Sequence, residues 1–291
     1  FEVSDTLYDE AYDRFRKLDD TYYMAFVLYR MGFIEAMKGR LDRLTEKTRR
    51  SLALRRKIGD VIGEGASLNH LGVSLLFLGD FDSADEYLSD AVKILEPTGN
   101  LFNLAHTLAN LGLLRFMAGD FERAYPLAQR ANQHGRDLQQ AIGQALGLSI
   151  MSAIDCLEGR ADEALTRAQT GQQYVENASI AYTSDLALAI VYASRNARQH
   201  AHPHIVNALT FALQAGFPSM MAAALPVAAV WLDDPVLLAQ VSAIDAPAMR
   251  WAQGWSPYQT AVQTVDAPLP LSTDLHTFSQ TVLDKLQQVT P

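Results

Sequence analysis

Four stretches of this chain align without a gap at a spacing of 40 residues. Met31-Gly32, Leu71-Gly72, Leu111-Gly112 and Met151-Ser152 hold the same place in successive repeats. Seven residues after each Gly or Ser come Gly39-Arg40-Leu41, Gly79-Asp80-Phe81, Gly119-Asp120-Phe121 and Gly159-Arg160-Ala161. Five residues past the first glycine of each of these stand Leu44, Ala84, Ala124 and Ala164. Landmarks kept in register over four repeats define an array in which each repeat buries its apolar face against its neighbours.

Each landmark has a physical role. Gly or Ser at 32, 72, 112 and 152 marks a close helix crossing with no room for a larger side chain. The turn glycine accepts the left-handed conformation that ends a helix. Asp80 and Asp120 are placed to cap the following helix, with Asp82, Glu86 and Glu122 where the helix dipole favours acids. Apolar spacing is helical, as in Leu68, Leu71, Leu75 and Leu78, or Tyr87, Leu88, Ala91, Ile94 and Leu95. No stretch alternates like a strand.

The expected helix pairs are 21–38 with 41–57, 61–78 with 81–96, 101–118 with 121–135, and 138–158 with 161–176. This gives an all-α protein, a right-handed solenoid of antiparallel helix pairs. Residues 1–20 read as the second helix of a truncated preceding repeat, with Tyr8, Ala11, Tyr12, Phe15 and Leu18 as its apolar stripe. Regular repeats fill 21–177, and degenerate helical repeats 178–243, where His200 to His204 is expected to replace the glycine turn. Asp233-Asp234-Pro235 splits a shorter pair, and 244–291, with Trp251, Trp255 and Phe278, forms a C-terminal capping segment.

Leu71-Gly72, Gly79-Asp80-Phe81 and Ala84, and their copies at 111–124, resemble the tetratricopeptide repeat. The usual unit there is about 34 residues. The longer unit here is similar to the long-helix variants of cell-polarity adaptors, kinesin light chains and the sensor regions of bacterial STAND-type signal-transduction NTPases. Gly59-Asp60 before a helix and the Ala-rich run Pro226–Trp231 tilt the resemblance to the last group. It implies an NTPase or effector domain upstream in the same polypeptide, in a cytoplasmic regulator of transcription. No G-x-x-x-x-G-K-[ST] occurs in this chain. The start at Phe1, with no initiator Met and no leader-like run, fits a piece of a longer protein.

The resemblance also implies a concave groove lined by the first helix of each pair. Its positions map onto Phe26, Tyr29, Arg30 and Phe33, then Asn69, His70 and Phe77, then His106, Asn110 and Phe116. Arg30, His70 and Asn110 hold the place that meets bound peptide backbone in that family. With Met37 and Met117 beside these aromatics, an apolar or aromatic ligand is favoured. The competing reading is that tight superhelical packing buries many of these side chains.

Other clusters have plainer readings. The run Arg43, Lys47, Arg49, Arg50, Arg55, Arg56 and Lys57 reads as a solvated outer face, since no aromatic residues interleave with it. His200-Ala201-His202-Pro203-His204 reads as a polar loop without metal-ligand spacing. Cys156, the single cysteine, fits a reducing compartment and a small-hydrophobe role. A net charge of −9 argues against a nucleic-acid surface spread over the chain. No cofactor, metal or catalytic residue and no membrane association is expected. The expected activity is binding of a protein, peptide or small molecule in the groove; the alternative is a constitutive scaffold with no switching role.

Overall fold

The computed structural model describes residues 2–38, 40–175, 178–265, 268–269, 271 and 273–289. Gly39 and the side chains of Met37 and Leu41 lie outside the described part. All regular structure among the described residues is helical. The chain divides into two compact units, residues 1–107 and 108–291.

The first unit holds α1 (Glu2–Lys17), the hairpin α2 (Thr21–Met37) with α3 (Leu41–Ile58), and the hairpin α4 (Val61–Leu78) with α5 (Phe81–Leu95). It ends in the opening turns of α6 (Leu101–Met117), inside which the two units divide. Its core is Leu28, Leu44, Leu68, Leu71, Leu76, Leu88 and Leu95, each no more than 2% exposed. Val27, Leu28 and Met31 of α2 pack against the predicted stripe Tyr8, Ala11, Tyr12 and Phe15 of α1.

The landmarks do what their chemistry requires. A Cβ on Gly72 would lie 2.5 Å from Leu88 Cγ and 3.2 Å from the Ala84 carbonyl oxygen, so α4 and α5 meet at a distance only glycine permits. Ser152 fills the same place in its repeat because its hydroxyl donates to the Ala164 carbonyl at 2.8 Å. Ala84, Ala124 and Ala164 are fully buried. Gly79 ends α4 at φ 96°, its N–H donating back to Leu75 and Leu76, and the Asp80 carboxylate accepts from Ser83 N–H at 3.2 Å to start α5.

The second unit continues with α7 (Phe121–Asp137), α8 (Ala141–Leu157) and α9 (Ala161–Gln172), then α10 (Ala178–Ser194) and α11 (Arg198–Ala215), and α12 (Pro218–Leu232) with α13 (Pro235–Ser242). A 3-10 stretch, Pro247–Gly254, leads to α14 (Ser256–Val262) and α15 (Leu275–Gln288). Trp251 and Trp255 are buried, and Trp255 Nε1 donates to Ser194 Oγ at 2.7 Å. The α15 helix packs on α11 and α12, joined by Lys285 to Asp234 at 2.6 Å.

A charge pair spans three of the hairpin turns, with its polarity reversed in one. Glu35 faces Arg40 at 3.7 Å, Arg115 faces Asp120 at 3.7 Å, and Asp155 faces Arg160. The two members lie five residues apart on either side of the turn, so one anchors the other across the chain reversal. Asp155, fully buried, also receives Arg167, whose guanidinium donates to Tyr125 Oη at 2.9 Å.

Two expectations are corrected. The turn between α10 and α11 is Arg195–Ala197, with Asn196 at φ 55°, and His200 to His204 already belongs to α11. Asn tolerates the left-handed conformation, so no glycine marks this turn. The helix runs on through Pro203, as α7 does through Pro126 and α12 through Pro226. His204 Nδ1 lies 2.6 Å from Asp185 Oδ1 and His202 Nε2 lies 2.9 Å from the Leu286 carbonyl oxygen, so both histidines are engaged in packing α11. Secondly, Arg55 is not on the solvated face of the basic helix α3: it is 6% exposed and turned inward.

Candidate partner-binding face

On α2, Tyr22, Phe26, Tyr29, Arg30 and Phe33 recur at the spacing of one helix face. Tyr22 is 52% exposed, Phe26 44% and Phe33 47%. Large aromatic side chains left in water on one stripe are the exception for a helix whose other face, Ala25, Val27 and Leu28, is packed in the core. Arg30 is exposed, with its guanidinium 5.8 Å from the Phe33 ring centroid.

The 40-residue register carries the stripe to the next two first helices. Tyr22 corresponds to Ile62 at the opening of α4 and to Phe102 at the opening of α6, which are 41% and 55% exposed. The sequence reading missed all three, although the repeat spacing and their size pointed to them. One turn further, Phe26 corresponds to Ala66 and His106.

The floor between α2 and α4 is polar. His70 meets Tyr29 edge to face at 5.1 Å between ring centroids, and Phe33 at 6.3 Å. Its Nδ1 lies 3.5 Å from Thr48 Oγ1 of α3. Burial, with smaller contributions from His106 and Arg55, pushes the His70 pKa down to about 4, and burial does the same for His106. Both imidazoles are therefore neutral at pH 7. Burial raises the Tyr29 hydroxyl, against the opposing pull of Arg55 and Arg30.

Arg55 closes the base of this floor. Its guanidinium carbon lies 5.0 Å from the Tyr29 ring centroid, and its Nη1 donates to the Gly63 carbonyl. Its Nε makes no hydrogen bond and is 3.9 Å from Asp60 Oδ2. Burial draws the guanidinium pKa down, with Asp60 opposing.

The other expected positions divide. Phe77 is partly buried on α4, and Asn69 is 7% exposed. In the second unit Asn110 is also 7% exposed. Phe116 is 2% exposed, stacked on Trp251 at 5.8 Å and beside Phe121 at 5.9 Å, so it packs the core beneath the C-terminal segment. Of these positions the structure brings Tyr29, Phe33 and His70 into contact, with Arg30 beside Phe33; Tyr22 and Phe26 share that side of α2, and Ile62 and Phe102 hold the register position of Tyr22 on α4 and α6. No group of three His, Cys, Asp or Glu able to hold a metal occurs among the described residues. Cys156 is buried, and burial raises its thiol pKa. Among the described residues, α4 alone has the length and apolarity to cross a membrane, and half of that window is buried within the fold.

The tetratricopeptide repeat family model matches residues 63–133. The crystal structure of Rap protein complexed with Competence and Sporulation Factor is similar in fold: TM-score 0.57 at 13% identity, over 92% of this chain and 76% of that one. No curated protein matches the chain. The chain is an all-α helical-repeat protein with a fold like that of tetratricopeptide-type solenoids, and the family match itself is confined to residues 63–133.

Proposed function

We propose that this chain is a partner-binding module that takes a protein or peptide segment on the face of α2 and the openings of α4 and α6. The observation that carries the reading is the exposed register position Tyr22, Ile62 and Phe102, continued on α2 by Phe26 and Phe33. Aromatic side chains bury large area at small conformational cost, which makes them the usual anchors of a recognition surface. The neutral His70 and His106 add hydrogen-bonding capacity without charge, so the face suits an apolar or aromatic segment. A protein of similar fold whose structure is a complex with Competence and Sporulation Factor supports a binding role.

The finer reading is a sensor within a larger cytoplasmic bacterial signalling protein, with an NTPase or effector domain upstream. Its support is the 40-residue unit and the Ala-rich Pro226–Trp231 run, which resemble such regulators.

The test is selection of binders from a displayed random-peptide library, followed by calorimetry of selected peptides on wild type and on Phe26→Ala/Phe33→Ala. The double substitution is expected to weaken binding by about tenfold or more with helicity intact. Peptides that bind the double variant as well as wild type overturn the face. For the sensor reading, the native gene product is expected to encode a nucleotide-binding P-loop ahead of Phe1; a product beginning near that residue removes it.

A further inference from the structure

The turns that join one hairpin to the next keep the same register, and the third of them departs from the first. The first holds Arg56, Gly59, Asp60 and Glu64; two repeats on stand Arg136, Gln139, Gln140 and Gln144. In the first, Arg56 Nε donates to Glu64 Oε1 at 2.7 Å, and Asp60 caps α4 by accepting from Gly63 N–H at 2.9 Å. In the third the arginine is kept and amides replace both carboxylates. Arg136 is exposed and makes no ion pair among the described residues, and α8 opens without a side-chain cap.

A cleft stands at this turn. Arg136 at the end of α7, Gln139 in the turn, Ala141 and Gln144 at the start of α8, and Gln173 and Tyr174 after α9 line an open space of about 470 Å³, wholly within the second unit. Small-molecule sites span roughly 300–1,000 Å³. Gln144, 7% exposed, turns its Nε2 to the Gly135 and Gln140 carbonyls at 3.2 and 3.4 Å, which leaves Oε1 as an acceptor. Gln139 holds φ 53° where the first two turns place Gly59 and Gly99, both at φ 69°. The other non-glycine residues with positive φ among the described ones are Asp or Asn, which tolerate that conformation. A glutamine there strains the turn, and it is the residue that lines the cleft.

We propose that this cleft is a second binding site, for a small molecule that carries one carboxylate or phosphoryl group on a hydroxylated body. Its anion does for Arg136 what Glu64 does for Arg56, and the uncapped start of α8 adds its dipole in the same sense. The lining contains no acid among the described residues, so an ammonium group on the ligand would meet no counter-charge. Ala141 is its one aliphatic member, so an apolar body would gain little. The glutamine amides and the Tyr174 hydroxyl both donate and accept, which is what hydroxyl groups require.

The test is calorimetric titration of this chain with glucuronate and with glycerol phosphate, against glucose, glycerol and inorganic phosphate as controls. At least one of the two hydroxylated anions is expected to bind about tenfold or more tightly than its controls, and the one that does identifies the anionic group. Arg136→Gln, at an exposed position, is expected to remove that preference. Gln144→Glu is expected to remove it too, by giving Arg136 the partner that Arg56 has. Gln139→Gly is expected to raise the melting temperature while weakening binding, a split that a purely structural turn residue does not produce. Phe26→Ala/Phe33→Ala is expected to leave these affinities unchanged, so the cleft and the aromatic face stand or fall separately. Binding of neither anion, controls that bind equally well, or a preference retained in folded Arg136→Gln overturns the site.

Discussion

His70 sets the edge of its imidazole against Tyr29, 5.1 Å between ring centroids, and this contact holds a neutral histidine between α2 and α4. Thr48 closes the other side at 3.5 Å. The polar floor of the candidate face is therefore built on a group that must stay unprotonated.

Stability is expected to fall as the pH drops from 6.5 towards 4. The folded-state pKa of His70 and of His106, about 4, is below the ordinary 6.5, so the unfolded chain binds protons first. Their contribution is complete above pH 6.5 and is lost as the pH falls through the folded values. Each unit of depression corresponds to about 1.4 kcal/mol. Carboxylates also titrate at the lower end of this range, so the measurement is a difference: melting temperature against pH for wild type and for His70→Gln/His106→Gln. The two curves are expected to converge as the pH falls from 7.5 to 4.5. Parallel curves contradict the burial of these imidazoles.

The Asp155 carboxylate, fully buried between Arg160 and Arg167, ties α8 to both the following turn and α9. Asp155→Ala is expected to cost about 2 kcal/mol in urea unfolding, because it removes the buried carboxylate that both guanidinium groups share, while Arg160 keeps Glu158 and Arg167 keeps Glu163. Arg160→Ala is expected to cost less, since Arg167 still neutralises the carboxylate and Arg160 is itself 40% exposed in its side chain. Exchanging the pair to Asp155→Arg/Arg160→Asp mimics the polarity of Arg115 and Asp120, but it sets a cation against Arg167 and is expected not to restore stability. Recovery to wild type would show that the turn pair alone matters.

The hairpins were legible because glycine, aspartate and alanine recur at fixed places, each answering a local requirement: a left-handed turn, a helix cap, a close crossing. The exposed stripe was half legible. Phe26, Arg30 and Phe33 are positions that the resemblance to the tetratricopeptide repeat implies, and Tyr22, Ile62 and Phe102 follow from the repeat spacing once exposure is known. Two placements depended on long-range packing that local sequence does not carry. Phe116 disappears under Trp251, a residue far along the chain, and Arg55 turns inward from a helix whose other basic residues meet solvent. At the α10–α11 junction Asn196 replaced the glycine that would have announced the turn.

Gly72 and Gly112 occupy the same repeat position yet are expected to respond oppositely to alanine. In a helix, alanine is favoured over glycine by about 1 kcal/mol. At Gly112 an added Cβ finds its nearest neighbours, Ala128 N and Ala124 O, at 3.4 and 3.5 Å, which is ordinary contact. Gly112→Ala is therefore expected to be neutral or to raise the melting temperature. At Gly72 the same Cβ falls 2.5 Å from Leu88 Cγ and 2.9 Å from its Cδ2, and Leu88 is fully buried with nowhere to retreat. Forcing an extra methyl into a packed crossing costs about 1–3 kcal/mol, enough to outweigh the helix gain. Gly72→Ala should lower the unfolding midpoint, and Gly72→Ala/Leu88→Ala should not lower it by the sum of the two single losses, because truncating Leu88 opens the space the methyl needs. Additive losses would mean that the crossing at Gly72 is set by the backbones of α4 and α5 and not by Leu88.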